Sequence, residues 1–145
     1  MKARLLGYTE LRTDNGTNSE GHEQGCIDYT FYLQIEDETF SFYATESWGS
    51  CGSGYCSATW GDISFILYPK NGNISGLIEP KCDIFIPLTS NNEIQISITD
   101  SEYRDDATIE SVKSDKGDLI VTSTGNGGCG YYPSGTVIIN NKLFN

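Results

Sequence analysis

The chain has 145 residues, enough for one domain with a real core and too few for two comfortable ones. Its hydrophobic content of 37% argues against wholesale disorder. A formal net charge of −11 disfavours DNA, RNA and anionic membranes, which need lysine and arginine to replace counterions, and favours basic proteins, cationic ligands or metal ions.

In chain order, residues 1–6 open like a signal peptide, but Gly7-Tyr8-Thr9-Glu10 ends the apolar run too early for an h-region. No run has the length of a transmembrane helix, so the expected location is cytoplasmic. Residues 3–11 read as a first strand. In residues 26–36, Ile27, Tyr29, Phe31, Leu33 and Ile35 alternate with Cys26, Asp28, Thr30, Tyr32, Gln34 and Glu36. That period of two marks a half-buried strand. Glu36-Asp37-Glu38 is a polar turn, and residues 39–45 alternate again with Phe40, Phe42 and Ala44 on one face, which predicts a hairpin.

A further strand is predicted over 58–68, with Ile63, Phe65 and Leu67 inward, followed by a turn at Pro69-Lys70-Asn71-Gly72-Asn73. Strands follow at 74–78, 83–88, 93–99, 108–112, 118–123 and 135–141. Ile94, Ile96 and Ile98 form the cleanest alternation among them. Residues 100–107 have room for a short helical turn and no more. Nine or ten short strands separated by Gly, Asn, Asp and Ser clusters predict a single all-β domain over 1–145, an antiparallel sandwich or barrel.

The charge is unevenly placed along these strands. From Thr13 to Pro69 there is no lysine or arginine, while the stretch holds nine acids, eleven aromatics and both tryptophans. If Ile27, Phe31, Ile35, Phe40, Phe42, Ile63 and Phe65 point inward, then Asp28, Tyr32, Glu36, Tyr43, Trp60 and Asp62 point outward. Aromatic anchors ringed by acid suit a protein–protein surface that steers a basic partner. The alternative is that this face is solvated or covered by another sheet or loop. The turn acids Asp37 and Glu38 belong to the same candidate surface, as do Trp48 and Tyr55 from the Gly-rich segment that ends at Trp60.

That segment, 48–60, carries three glycines besides its two tryptophans, one tyrosine and the thiols Cys51 and Cys56. It lacks the following helix and the lysine of a phosphate loop, so a binding loop or a plain long hairpin describes it better. Five cysteines match no disulfide framework; Cys51 and Cys56 are the natural pair only in an exported protein. His22, Cys26, Cys51 and Cys56 offer zinc-type ligands at no recognised spacing, and the acidic loops around Asp14 and 100–106 lack EF-hand spacing. No metal or other cofactor is therefore assigned. The single histidine, His22, has no nucleophile and orienting group that can be named with it, so no catalytic residue is assigned and an enzyme is not expected.

In length, acidity and lack of catalytic apparatus the chain resembles the immunity proteins that accompany bacterial contact-dependent growth-inhibition toxins. The resemblance is one of class and transfers no site. It implies an inhibitory protein that covers the basic substrate-holding surface of a toxin nuclease. The competing expectation is an exported carbohydrate- or ligand-binding module whose Trp48, Tyr55 and Trp60 stack on sugar rings.

Overall fold

The computed structural model describes residues 1–17, 23–50, 57–69, 73–100, 108–124 and 137–144; of these, 15–17, 23–24, 47–50, 57–69, 99–100, 108–109 and 123–124 are described through their strand pairing alone. The described residues contain no helix. Nine strands run in the order β1 (Lys2–Thr17), β2 (Glu23–Ile35), β3 (Glu38–Ser50), β4 (Ser57–Pro69), β5 (Phe85–Pro87), β6 (Ile96–Asp100), β7 (Thr108–Ser114), β8 (Gly117–Thr124) and β9 (Val137–Ile139). They form two antiparallel sheets, ordered β4-β3-β2-β1-β5 and β6-β7-β8-β9. The all-β reading of the sequence holds.

The long first sheet is a meander, and its alternation sorts residues as the sequence pattern predicts. Phe31, Leu33 and Ile35 on β2 and Phe42 and Ala44 on β3 are buried on one face. They meet Val112, Leu119, Ile120 and Val137 of the second sheet, with Leu143 and Phe144 near the C-terminus, in one common core. Phe31 is the hub. Its ring stacks on Phe42 at 5.0 Å and on Tyr8 at 5.2 Å, and Tyr8 meets Phe144 edge-on at 4.8 Å. Such offset and edge contacts follow the ring quadrupole and add to the burial term.

The β2–β3 connection is a two-residue hairpin closed by the pair Ile35↔Glu38. Glu36 sits at φ 56°. A positive φ at the first central position matches the right-handed strand twist but costs a residue that carries a Cβ. On β1 a bulge between Leu5 and Gly7 shifts the inward set from Ala3 and Leu5 to Tyr8.

Three expectations differ from the structure. Residues 74–78 are not a strand: before β5 the described chain returning from β4 meets β1 through the Tyr8↔Ile78 bridge, the Leu5 N–H to Ile84 carbonyl bond and the Arg4–Asp83 ion pair, and Pro80 lacks a donor for a continuous ladder. The strand expected over 83–88 shrinks to Phe85–Pro87, and the described part of 135–141 pairs at Val137–Ile139, with 135–136 outside the described residues. Of the isoleucine alternation, Ile94 is buried but Ile96 and Ile98 are 39% and 61% exposed. β6 is the edge of its sheet, where the inward face runs beyond the core. The expected helical turn falls on Asp100, which ends β6, and on 101–107, which lie outside the described residues.

Candidate functional site

The outward face of the first sheet is built by the register of four neighbouring strands. One row runs Leu11–Asp28–Thr45–Asp62, from β1 to β4. The next row toward the hairpin is Thr9–Thr30–Tyr43–Ser64, and the row on the other side is Thr13–Cys26–Ser47–Trp60. The strands that the alternation argument needed as neighbours are neighbours, and Asp28, Tyr43, Trp60 and Asp62 fall in three consecutive rows of the same alternation.

Asp28 is half-buried and accepts a hydrogen bond from the Thr45 hydroxyl at 2.9 Å. That bond fixes the carboxylate across the β2–β3 pair and leaves most of its lone pairs for a partner. Asp28 and Asp62 stand two strand spacings apart in the row, about 10 Å, so a single cation above Thr45 lies within one Debye length of both positions. Tyr43, one row on, is 38% exposed and offers a rigid aromatic surface beside this pair of acids.

The other sequence candidates separate from this cluster. Tyr32 occupies the outward alternation but is only 7% exposed, as is its cross-strand partner Ser41. Its other partner is Gly7, and a Cβ built there would meet the Ile78 carbonyl oxygen at 2.3 Å and Leu77 Cδ1 at 3.0 Å. The 77–78 segment meets β1 at Gly7 and Tyr8, and Tyr32 itself is buried, so it is not available as an anchor. Glu36, Asp37 and Glu38 are exposed at the hairpin tip. Glu36 is eight residues along the chain from Asp28, ~26 Å at the strand rise, so these acids form a separate cluster. Trp48 pairs with Gly25 and Thr59 and shares the alternation of Phe42, Ala44 and Glu46, so the register does not join it to the outward rows. Tyr55, Cys51, Cys56 and His22 lie outside the described residues. Cys26 and Cys82 are free thiols, and among the described residues no three His, Cys, Asp or Glu side chains gather as a metal site.

A second feature escaped the sequence reading. Glu46 carries the inward alternation one step past Ala44, and its Oε2 accepts the Val137 N–H at 2.7 Å, tying β3 to β9 across the two sheets. Beside this tie opens a cleft of about 330 Å³ lined by Tyr8, Glu10, Tyr29, Val137, Ile138, Ile139 and Asn141. Tyr8 is pushed above its ordinary pKa by burial and by Glu10, and Tyr29 by burial, Glu46, Glu10 and Tyr8, against a smaller opposing effect of Arg12. The available signal was Glu46 itself, an acid at a position where the pattern asks for an apolar residue.

No protein-family model matches the chain, and neither the curated proteins nor the solved structures contain a significant match to it.

Proposed function

We propose that the protein is an inhibitory binding protein that neutralises a basic protein partner, in the first place as an immunity protein covering the substrate surface of a cognate bacterial toxin nuclease. The single observation that carries the reading is the row Asp28–Thr45–Asp62 with exposed Tyr43 beside it, in a stretch without lysine or arginine. A nuclease must be positive where it holds its substrate. An acidic face with an aromatic anchor can occupy that surface, gain a steered association rate and exclude nucleic acid.

The chain's charge of −11 extends the same field beyond the face and disfavours nucleic acid and anionic membranes as competing partners. The cytoplasm, where such a toxin acts, is the location that goes with this reading.

The test is co-expression with the protein encoded immediately upstream of this gene, followed by a nuclease assay on purified mixtures. The reading expects inhibition that saturates at one copy per toxin domain and is lost with Asp28→Lys. A neighbour without nuclease activity, or inhibition untouched by Asp28→Lys, contradicts it.

A further inference from the structure

The first sheet carries acid on both of its sides. Asp28 belongs to the outward alternation of β2, and the next residue, Tyr29, packs against the core on the inward side. Glu10 is the direct β1 partner of Tyr29, so it shares that inward side, and Tyr8 precedes it by one strand period. Here the sheet meets β9, and the cleft of about 330 Å³ lies between them. It is separate from the Asp28 row, which occupies the opposite side of the same strands.

The two walls of the cleft differ in chemistry. Val137 and Ile139 of β9 supply an aliphatic wall, and Asn141 supplies an amide just after it. Glu10, Tyr8 and Tyr29 form the facing wall. The core holds these rings in place. Tyr8 stacks on Phe31 at 5.2 Å and meets Phe144 edge-on at 4.8 Å, and the Tyr29 ring is tilted by 59° with its centroid 6.4 Å from that of Tyr8. Tyr29 is half-buried, and Glu10 and Asn141 are exposed.

The field in the cleft is negative. After burial, the largest effects on the Tyr29 phenol come from Glu46 and Glu10, and Arg12 opposes them with the smallest. The Arg12 guanidinium lies 3.2 Å from Asp14, and Arg12 does not line the cleft. Glu46 already accepts the Val137 N–H at 2.7 Å, so it contributes field rather than a ligand contact. Glu10 is the carboxylate that lines the cleft.

We propose that this cleft binds a primary alkylammonium group, with its methylene stem along Val137 and Ile139 and its charged head between Glu10 and the tyrosine rings. An ammonium has three rotatable donors and is best met by acceptors from several directions. Glu10 on β1, the Tyr29 phenol on β2 and the Asn141 amide after β9 come from three different elements. Aromatic rings attract the cation through their quadrupole, and the stem buries against the aliphatic wall. Two sources share this chemistry, a free alkylamine and a lysine side chain of another protein. The site does not depend on what the Asp28 row binds.

The experiment titrates the full chain with butylammonium chloride at neutral pH and constant ionic strength, followed by NMR. Butanol is the neutral counterpart, and a lysine blocked at both its amino and carboxyl ends stands for a protein-borne side chain. Saturating shifts are expected at the amides of Glu10, Ile138 and Asn141 and at the Tyr29 ring, with none that saturate for butanol. Glu10→Gln should weaken the amine by about two- to fivefold, the worth of an exposed ion pair. Glu93→Gln makes the same charge change at an exposed turn and should leave binding as it is. Saturation by the blocked lysine as well assigns the site to a protein side chain, and saturation by butylammonium alone assigns it to a free amine. Shifts that never saturate, that butanol reproduces or that Glu10→Gln leaves unchanged overturn the proposal. Equal weakening by Glu10→Gln and Glu93→Gln overturns it too, because the net charge of −11 would then be the whole attraction.

Discussion

The same two strands, β2 and β3, behave differently at their two ends. At the level of Phe31 and Phe42 both faces of the sheet are closed: the two rings are fully buried on the inner side, and Tyr32 and Ser41 are buried on the other. Three residues away, at Asp28 and Thr45, the inner side is held by half-buried Tyr29 and by Ala44 while the outer side opens onto Tyr43 and a carboxylate. One hairpin thus holds the fold at one end and offers a surface at the other. At the closed end the returning 77–78 segment meets β1 at Gly7 and Tyr8, which pair with Tyr32 and Phe31 on β2.

The contrast breaks most directly at its hub. Phe31→Ala should cost ~3–5 kcal/mol in denaturant unfolding, since it removes a fully buried ring that stacks on two others. Tyr43→Ala, at the open end, should change stability by less than about 0.5 kcal/mol. Equal losses would mean that the open face is part of the structural core. Gly7→Ala should come next. Its φ of 141° and the 2.3 Å approach of its would-be Cβ to the Ile78 carbonyl leave no room for a side chain, so a loss of at least ~1–3 kcal/mol is expected by thermal or chemical unfolding. A smaller loss would show that the returning segment does not clamp this row.

Glu36→Gly should act in the opposite sense and by less. Relief of the positive φ at 56°, set against the entropy that glycine adds to the unfolded chain, should raise stability by ~0.5–1 kcal/mol. The smallest effect lies at alkaline pH. Tyr8 and Tyr29 have folded-state pKa values above the ordinary phenol value of 10.0, so the folded state retains their protons longer than the unfolded state. Their contribution to stability is complete below pH 10.0 and is lost as pH rises from there through the raised values. Tyr29→Phe should therefore flatten the alkaline arm of a stability–pH curve. An unchanged arm would place the phenols in a solvated setting.

Local alternation carried much of this into the sequence. It placed Phe31, Leu33, Ile35, Phe42 and Ala44 in the core, located the hairpin at Glu36-Asp37, and put Asp28 and Tyr43 on the side away from the core. It missed whatever depends on contacts distant in sequence. Nothing within residues 26–36 indicates that Tyr32, on the outward alternation, is buried. Nothing in the run of Ile94, Ile96 and Ile98 tells that their strand is a sheet edge, where an apolar face is left without a cover. The bulge at Leu5–Gly7 reverses the alternation of β1, so the cleft formed by Tyr8, Glu10 and Tyr29 could not be read from a uniform period of two. Glu36 shares the outward alternation of Asp28, and Asp37 and Glu38 share its sign, but the strand rise sets the hairpin-tip acids apart from the Asp28 row.

The central claim is that charge at the Asp28 row, rather than the overall charge of −11, recruits a basic partner. Stopped-flow association with that partner, across a salt series, tests it with two substitutions of equal charge change. Asp28→Lys lies in the row, and Glu93→Lys lies at an exposed turn before β6. The account predicts that Asp28→Lys slows association strongly and flattens its salt dependence, while Glu93→Lys leaves most of both intact. Equal slowing by the two would show that net charge alone steers the partner, and would contradict a binding face at Asp28.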